Sequence, residues 1–135
     1  MRNRVCAILV ASTVGWGTAA AMDEVKTYNG IDYACTGVAE SAQDARWKTF
    51  PLKLVFSGRG GGYVSDIAID IVKKGGEKVF ETRCEFEPWL VAKLPPGQYT
   101  VTAVAEGSHS KTFDVDIKAG RQTYKTIVYS DIKTR

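Results

Sequence analysis

Residues 56–72 read FSGRGGGYVSDIAIDIV: an apolar run breaks at four glycines and an arginine, then resumes. Such glycines are either a phosphate cradle or a place where the chain turns round, and the residues after them decide which. A P-loop needs GxxxxGK[ST] ahead of a helix, whose N-terminal amides and lysine hold the anion. No lysine and no Ser or Thr stand in that register here, and a G-x-G-x-x-G started at Gly58 meets Tyr63 at its last position. The segment beyond the glycines is strand-periodic, with Ile67, Ile69 and Ile71 pointing one way and Asp66, Ala68 and Asp70 the other. Without a helix there is no dipole to hold an anion, so the glycines read as a long hairpin or bulge that uses positive φ. The competing reading is anion binding by Arg59 together with the loop amides.

The same two-residue period runs outward from this stretch. In KTFDVDIKAG, Phe113, Val115 and Ile117 alternate with Thr112, Asp114 and Asp116, the pattern of a half-buried strand with one wet face. GIDYACTGVA, PLKLVFS, KVFETRCEF, WLVAKL, QYTVTAVAE and TYKTIVY fit it too, and GRGGG, KKGGE, EP, PPG, EGSH and KAGR punctuate them. Strands then recur roughly every 10 to 15 residues, and helical spacing is nowhere sustained. The pattern predicts an antiparallel β-sandwich of about seven or eight strands, immunoglobulin-like in kind. The long connection ESAQDARWKT, residues 40–49, has room for one short helical turn.

The first 21 residues carry Arg2 and Arg4, the apolar stretch VCAILVASTVGWG and then Thr18, Ala19, Ala20 and Ala21. This is the order of a secretory signal peptide, with cleavage expected after Ala21. The apolar run is too short for a bilayer span, which takes about 20 residues. Cys6 precedes AILVAS instead of closing the apolar run, so it does not fit a lipoprotein anchor. The expected organisation is a cleaved signal over residues 1–21, a leader over 22–30, a single sandwich domain over 31–129 and a tail over 130–135. The protein is expected in the periplasm or outside the cell, with no stable membrane insertion. Export also changes the charge: the formal +3 of the whole chain loses Arg2 and Arg4 and falls to +1, which removes the electrostatic case for nucleic acid.

Of three cysteines, Cys6 leaves with the signal, and Cys35 and Cys84 remain. Two thiols in an oxidising compartment most simply pair. Closing a loop of about 50 residues stabilises a domain by roughly 4 kcal/mol in the chain-entropy model. Cys84 shares the parity of Phe80, Thr82 and Phe86, and Cys35 that of Ile31 and Tyr33, so each sulfur faces an apolar side. A metal site or catalytic thiol lacks partners, because there is no CxxC and His109 is the sole histidine. No metal and no cofactor is expected.

Asp66 with Asp70, and Asp114 with Asp116, place carboxylates on one face of their strands, a spacing that suits either calcium or a solvated sheet face; the latter is preferred. His109 in EGSHSK sits beside Ser108 and Ser110, but adjacent positions do not converge as a nucleophile and its base must, so these read as turn residues. Aromatics offer more. Trp47, Tyr63 and Trp89 lie beside turns or long loops, where an exposed ring stacks on a sugar or anchors a protein. Trp89, next to Leu90, reads as a cap on the core, and Trp47, between Arg46 and Lys48, as the exposed anchor. The candidate binding residues are therefore Trp47, Arg59 and Tyr63.

Residues 88–107, PWLVAKLPPGQYTVTAVAEG, carry the most specific signal. An aromatic-apolar strand followed by L-P-P-G-x-Y-x-V-x-A resembles the repeat of carboxypeptidase regulatory-like domains, whose fold is a transthyretin-like seven-stranded sandwich. The physics agrees, since Pro95, Pro96 and Gly97 make a tight turn and Tyr99, Val101 and Ala103 line one face. The flanking YACTGVAESAQDARWKTFPLKLVFSGRGGGYVSDIAIDI looks like that of small exported proteins of Gram-negative bacteria carrying this domain alone. An enzymatic branch of the related fold, the hydroxyisourate hydrolases, works with more than one histidine, an arginine and a C-terminal Tyr-Arg-Gly-Ser. Tyr129 is followed here by Ser130 and Asp131, so none of that machinery carries over. The expectation is an exported, non-catalytic binding or accessory module that contacts a protein partner through an exposed edge strand. The alternative is a carbohydrate-recognition module using exposed aromatics.

Overall fold

A short hairpin opens the fold. Asn29 and Gly30 both adopt positive φ, 53° and 79°, so Tyr28 turns directly onto Ile31 and β1 (Lys26–Tyr28) pairs antiparallel with β2 (Ile31–Thr36). An Asn-Gly pair is the residue choice that such a two-residue turn requires. The computed structural model describes residues 23–105 and 109–134, so the signal segment lies outside the described residues. After β2, 3-10 turns at Ala39–Gln43 and Ala45–Thr49 lead to β3 (Leu52–Arg59), β4 (Ile67–Lys73), β5 (Lys78–Cys84), β6 (Trp89–Ala92), β7 (Gly97–Ala105), β8 (His109–Ile117) and β9 (Thr123–Lys133).

The strands form two layers. Sheet A has the order β1-β2-β6-β3-β9 and sheet B the order β5-β4-β7-β8, so the chain is an all-β sandwich. The alternation read from sequence is realised: Ile67, Ile69 and Ile71 are fully buried, as are Leu52, Leu54, Phe56 and Val101. The main core lies between the layers.

Two strand boundaries and one strand direction differ from the sequence reading. The segment expected as a leader contributes β1, and the segment expected as a tail continues β9 to Lys133. With these the described residues hold nine strands. The third difference is direction: β9 runs parallel to β3, from Leu52 opposite Thr123 to Gly58 opposite Tyr129. Alternation fixes which side chains point inward but not the direction of the neighbouring strand. Here the β7–β8 hairpin ends on sheet B, and the chain crosses over to reach sheet A from the same end as β3. Phe86 also departs from its assigned parity, being 77% exposed, because β5 stops at Cys84 and the period ends with it.

The two seams of the sandwich differ. On one, Cys35 of β2 and Cys84 of β5 form a disulfide with a Cα–Cα distance of 5.5 Å, joining the layers. Tyr33 meets Phe80 edge-on with centroids 5.0 Å apart, and Asn29 Nδ2 donates to the Val79 carbonyl at 3.1 Å. On the other seam β8 and β9 lie on different sheets as edge strands. They are bridged by side chains: Thr123 Oγ1 donates to the Asp116 carbonyl at 2.8 Å, and Lys125 Nζ stands 5.5 Å from the Phe113 ring centre. Deeper in, the Tyr129 hydroxyl donates to the Ala103 carbonyl at 2.7 Å, and burial pushes that phenol's pKa up to about 12.

Candidate functional site

Sheet A carries a second, smaller apolar cluster on its outer face, and this placement corrects the reading of Trp47. Trp47 and Phe50 fold down from the second 3-10 turn onto Ala34 of β2 and Val91 of β6. Trp47 is 2% exposed and its indole N–H donates to the Ser41 carbonyl at 2.7 Å, so it is a core residue and not a surface anchor. The flanking charges misled the sequence reading. Arg46 lies over the ring at 4.6 Å from its centre and ion-pairs with Asp44 at 2.8 Å, closing the cluster from above. Asp44 also accepts from the Arg46 amide, and these two hydrogen bonds from Arg46 hold its carboxyl below the ordinary range. Gln122 pins the same segment from the β8–β9 turn, donating to the carbonyls of Trp47 and Phe50 at 2.7 and 2.9 Å.

The glycine loop is a docking surface for the chain's own end. The Gly58 amide donates to the Gly62 carbonyl at 2.9 Å, the Gly61 amide to the Gly58 carbonyl at 3.1 Å, and the Gly62 amide to Thr134 Oγ1 at 2.7 Å. These amides are therefore taken up within the fold. The Thr134 amide donates to the Arg59 carbonyl at 2.7 Å, and a Cβ at Gly58 would overlap the Ile132 carbonyl. Gly58, Gly60 and Gly62 are glycines because Ile132 and Thr134 pass against them, and Gly61 because its φ of 87° is left-handed. Arg59 is exposed and its Nε donates to the Ser130 carbonyl at 3.2 Å. Tyr63 is 60% exposed.

Tyr63 borders a cleft of about 470 Å³ together with Ser65, His109, Asp131 and Thr134. His109 Nδ1 stands 3.5 Å from Asp131 Oδ2, which is itself 78% exposed. Sequence reading missed this meeting because it joins the start of β8 to the bulged end of β9. Ser108 lies outside the described residues. Asp66 faces Arg83 at 2.9 Å, Asp70 faces Lys78 at 3.7 Å, Asp114 faces Lys74 at 3.4 Å and Asp116 faces Lys118 at 3.3 Å. Each carboxylate of the sheet-B pairs thus has its own cation, the arrangement of a solvated face.

The remaining part of the outer face is open. Lys53 on β3 lies opposite Tyr124 on β9, and its Nζ stands 3.8 Å from the Trp89 ring centre and 4.9 Å from that of Tyr124. One cation is thereby shared by two rings. Trp89 packs against Gly37, where an added Cβ would run into the indole, and its Nε1 is buried without an acceptor among the described residues. Beside it a cleft of about 220 Å³ is lined by Gln43, Asp44, Lys48, Lys53, Trp89 and Gln122, among others. Tyr124 is 58% exposed and Val128 47%, and both lie on β9 at the sheet's margin.

The backbone of β9 completes the surface. The Thr123 amide donates inward to the Pro51 carbonyl at 2.6 Å. Hydrogen-bonding direction alternates along a strand, so Tyr124, Thr126 and Val128 turn their N–H and C=O groups away from β3. Among the described residues no strand pairs with that edge. The same three residues put their side chains on the outer face, so an unpaired edge and an aromatic-aliphatic stripe coincide. Compared with protein-family models and with curated proteins, the chain matches none.

Proposed function

We propose that this chain is an exported, non-catalytic binding module of carboxypeptidase regulatory-like type, acting in the periplasm or outside the cell, and that its protein partner adds a strand to β9. The observation that carries the reading is the outer edge of β9 (Thr123–Lys133), where Tyr124 and Val128 are 58% and 47% exposed beside outward-facing backbone groups. Free strand edges are a hazard that proteins blunt with prolines, bulges or covering segments unless they use them. β9 contains no proline, and its bulge falls beyond Tyr129, after the stretch that faces outward. In strand addition the backbone supplies affinity and alternate side chains supply selectivity. The Cys35–Cys84 bridge is in keeping with an oxidising compartment.

The test is a photo-crosslinker placed at Lys125 on β9 and, as control, at Glu81 on β5, an edge strand of the other sheet. Partner adducts are expected at the β9 position alone, and Thr126→Pro, which removes one outward N–H, abolishes them while leaving the denaturation midpoint near that of the parent protein. Equal adducts at both positions, or adducts indifferent to the proline, would rule the reading out.

Carbohydrate recognition is the second reading. The Trp89, Lys53 and Tyr124 stack favours it, in place of the buried Trp47.

A further inference from the structure

We propose that the Trp89–Lys53–Tyr124 face binds saccharides that carry carboxylates, such as uronic-acid chains; this rests on the carbohydrate reading and names its ligand class. The charge pattern is the first support. On the opposite layer Lys74, Lys78 and Arg83 each lie against a carboxylate. Lys48 and Lys53, which line the cleft on sheet A, meet none within 4.0 Å among the described residues. The one carboxylate of that cleft, Asp44, is already held by Arg46 at 2.8 Å. Two lysines without a carboxylate partner therefore line one small cleft, and the complementary ligand is an anion.

The rings and amides narrow the anion to a saccharide. Tyr124, 58% exposed, lies beside Lys53, so a carboxylate drawn to the ammonium arrives next to an open aromatic ring suited to the C–H face of a pyranose. Gln43 and Gln122 line the same cleft and offer amide groups to hydroxyls; the Gln122 amide nitrogen is already used, which leaves its oxygen as an acceptor.

The experiment titrates purified protein with α-1,4-tetragalacturonate, its fully methyl-esterified form, and tetra-aspartate, followed by calorimetry. The expected result is binding of the free acid, about tenfold weaker binding of the ester, and about tenfold loss in Lys53→Gln. Tyr124→Ala loses several-fold. Both changed side chains are solvent-accessible, so the variants retain the parent's melting profile. Raising salt tenfold weakens the acid's binding, as expected for charges near a surface. Equal affinity for acid and ester overturns the preference while leaving carbohydrate recognition standing. Equal affinity for tetra-aspartate overturns the sugar, and failure of both saccharides to bind at millimolar concentration overturns the inference together with the reading beneath it.

Discussion

Replacing Trp47 with alanine tests the packing of sheet A most directly. The indole is 2% exposed, meets Phe50 edge-on with centroids 5.6 Å apart, and donates to the Ser41 carbonyl at 2.7 Å. Truncating a buried tryptophan costs about 3–5 kcal/mol through lost transfer energy and the cavity left behind. The orphaned Ser41 carbonyl adds to this, although an opened cluster admits water to it. Against a total stability of roughly 5–15 kcal/mol for a small domain, that is a large fraction. With a urea m-value of about 1.5 kcal/mol/M, the midpoint falls by about 2–3 M. Trp47→Phe, which keeps the ring packing but loses the N–H donor, costs about 1–2 kcal/mol. The assay is urea denaturation with the disulfide intact, followed by far-ultraviolet circular dichroism. A midpoint shift below about 0.3 M for Trp47→Ala, within the range of an ordinary surface substitution, would refute the argument and return Trp47 to the surface.

Reduction of the Cys35–Cys84 bridge, whose ends are 49 residues apart, is expected to lower stability by about 4 kcal/mol, measured as the drop in urea midpoint with and without reductant. Gly58→Ala pushes a methyl group into the Ile132 carbonyl and toward Val64, an overpacking that costs about 1–3 kcal/mol and speeds proteolysis beyond Ser130; unchanged cleavage there argues against the docking role of the loop. Tyr129 gives the pH dependence. Its pKa is raised from 10.0 to about 12 by burial, so its contribution to stability is fully present below pH 10.0 and is lost as the pH rises toward about 12. Denaturation midpoints should fall over that window for the parent protein, and less for Tyr129→Phe, which has no phenol to ionise.

The two-layer architecture was legible because burial on one face imposes a period of two, and Ile67, Ile69, Ile71, Val115 and Ile117 obey it without exception. The disulfide was legible because only Cys35 and Cys84 remain beyond the expected signal, and parity was consistent with both sulfurs facing apolar neighbours. Trp47 was not legible. ARWKTF sits in a 3-10 turn whose burial depends on Ala34 and Val91, residues of two other strands, and on Gln122 from a distant turn. Local polarity carries no trace of such a cover. The Trp89, Lys53 and Tyr124 stack was hidden likewise, because it needs the register of β3 against β9, and that pairing is parallel. Trp89 alone was read as a core cap; the structure makes it partly that, packed beside the outer cluster, and partly a wall of the open cleft.

The asymmetry of the two seams bears on how the proposed strand addition at β9 would work. A partner strand that adds to a sheet edge pulls on that sheet, and a sandwich held only by apolar contact yields some of the binding energy to distortion. Here the disulfide and the Tyr33–Phe80 contact fasten the far seam. Meanwhile β9 is held along β3 from Thr123 to Tyr129, and its end is tied through Thr134 to the glycine loop. The edge on offer is thus already extended and ordered before any partner arrives, which reduces the entropy lost on association. Lys53 joins the two proposed uses of this surface, for it belongs to the strand that supports β9 and also lies between Trp89 and Tyr124. An acidic ligand on Lys53 and a strand on β9 therefore share Tyr124. Tetragalacturonate is accordingly expected to lower the yield of partner adducts at Lys125, and a yield indifferent to the saccharide would show that the two uses do not meet at that ring.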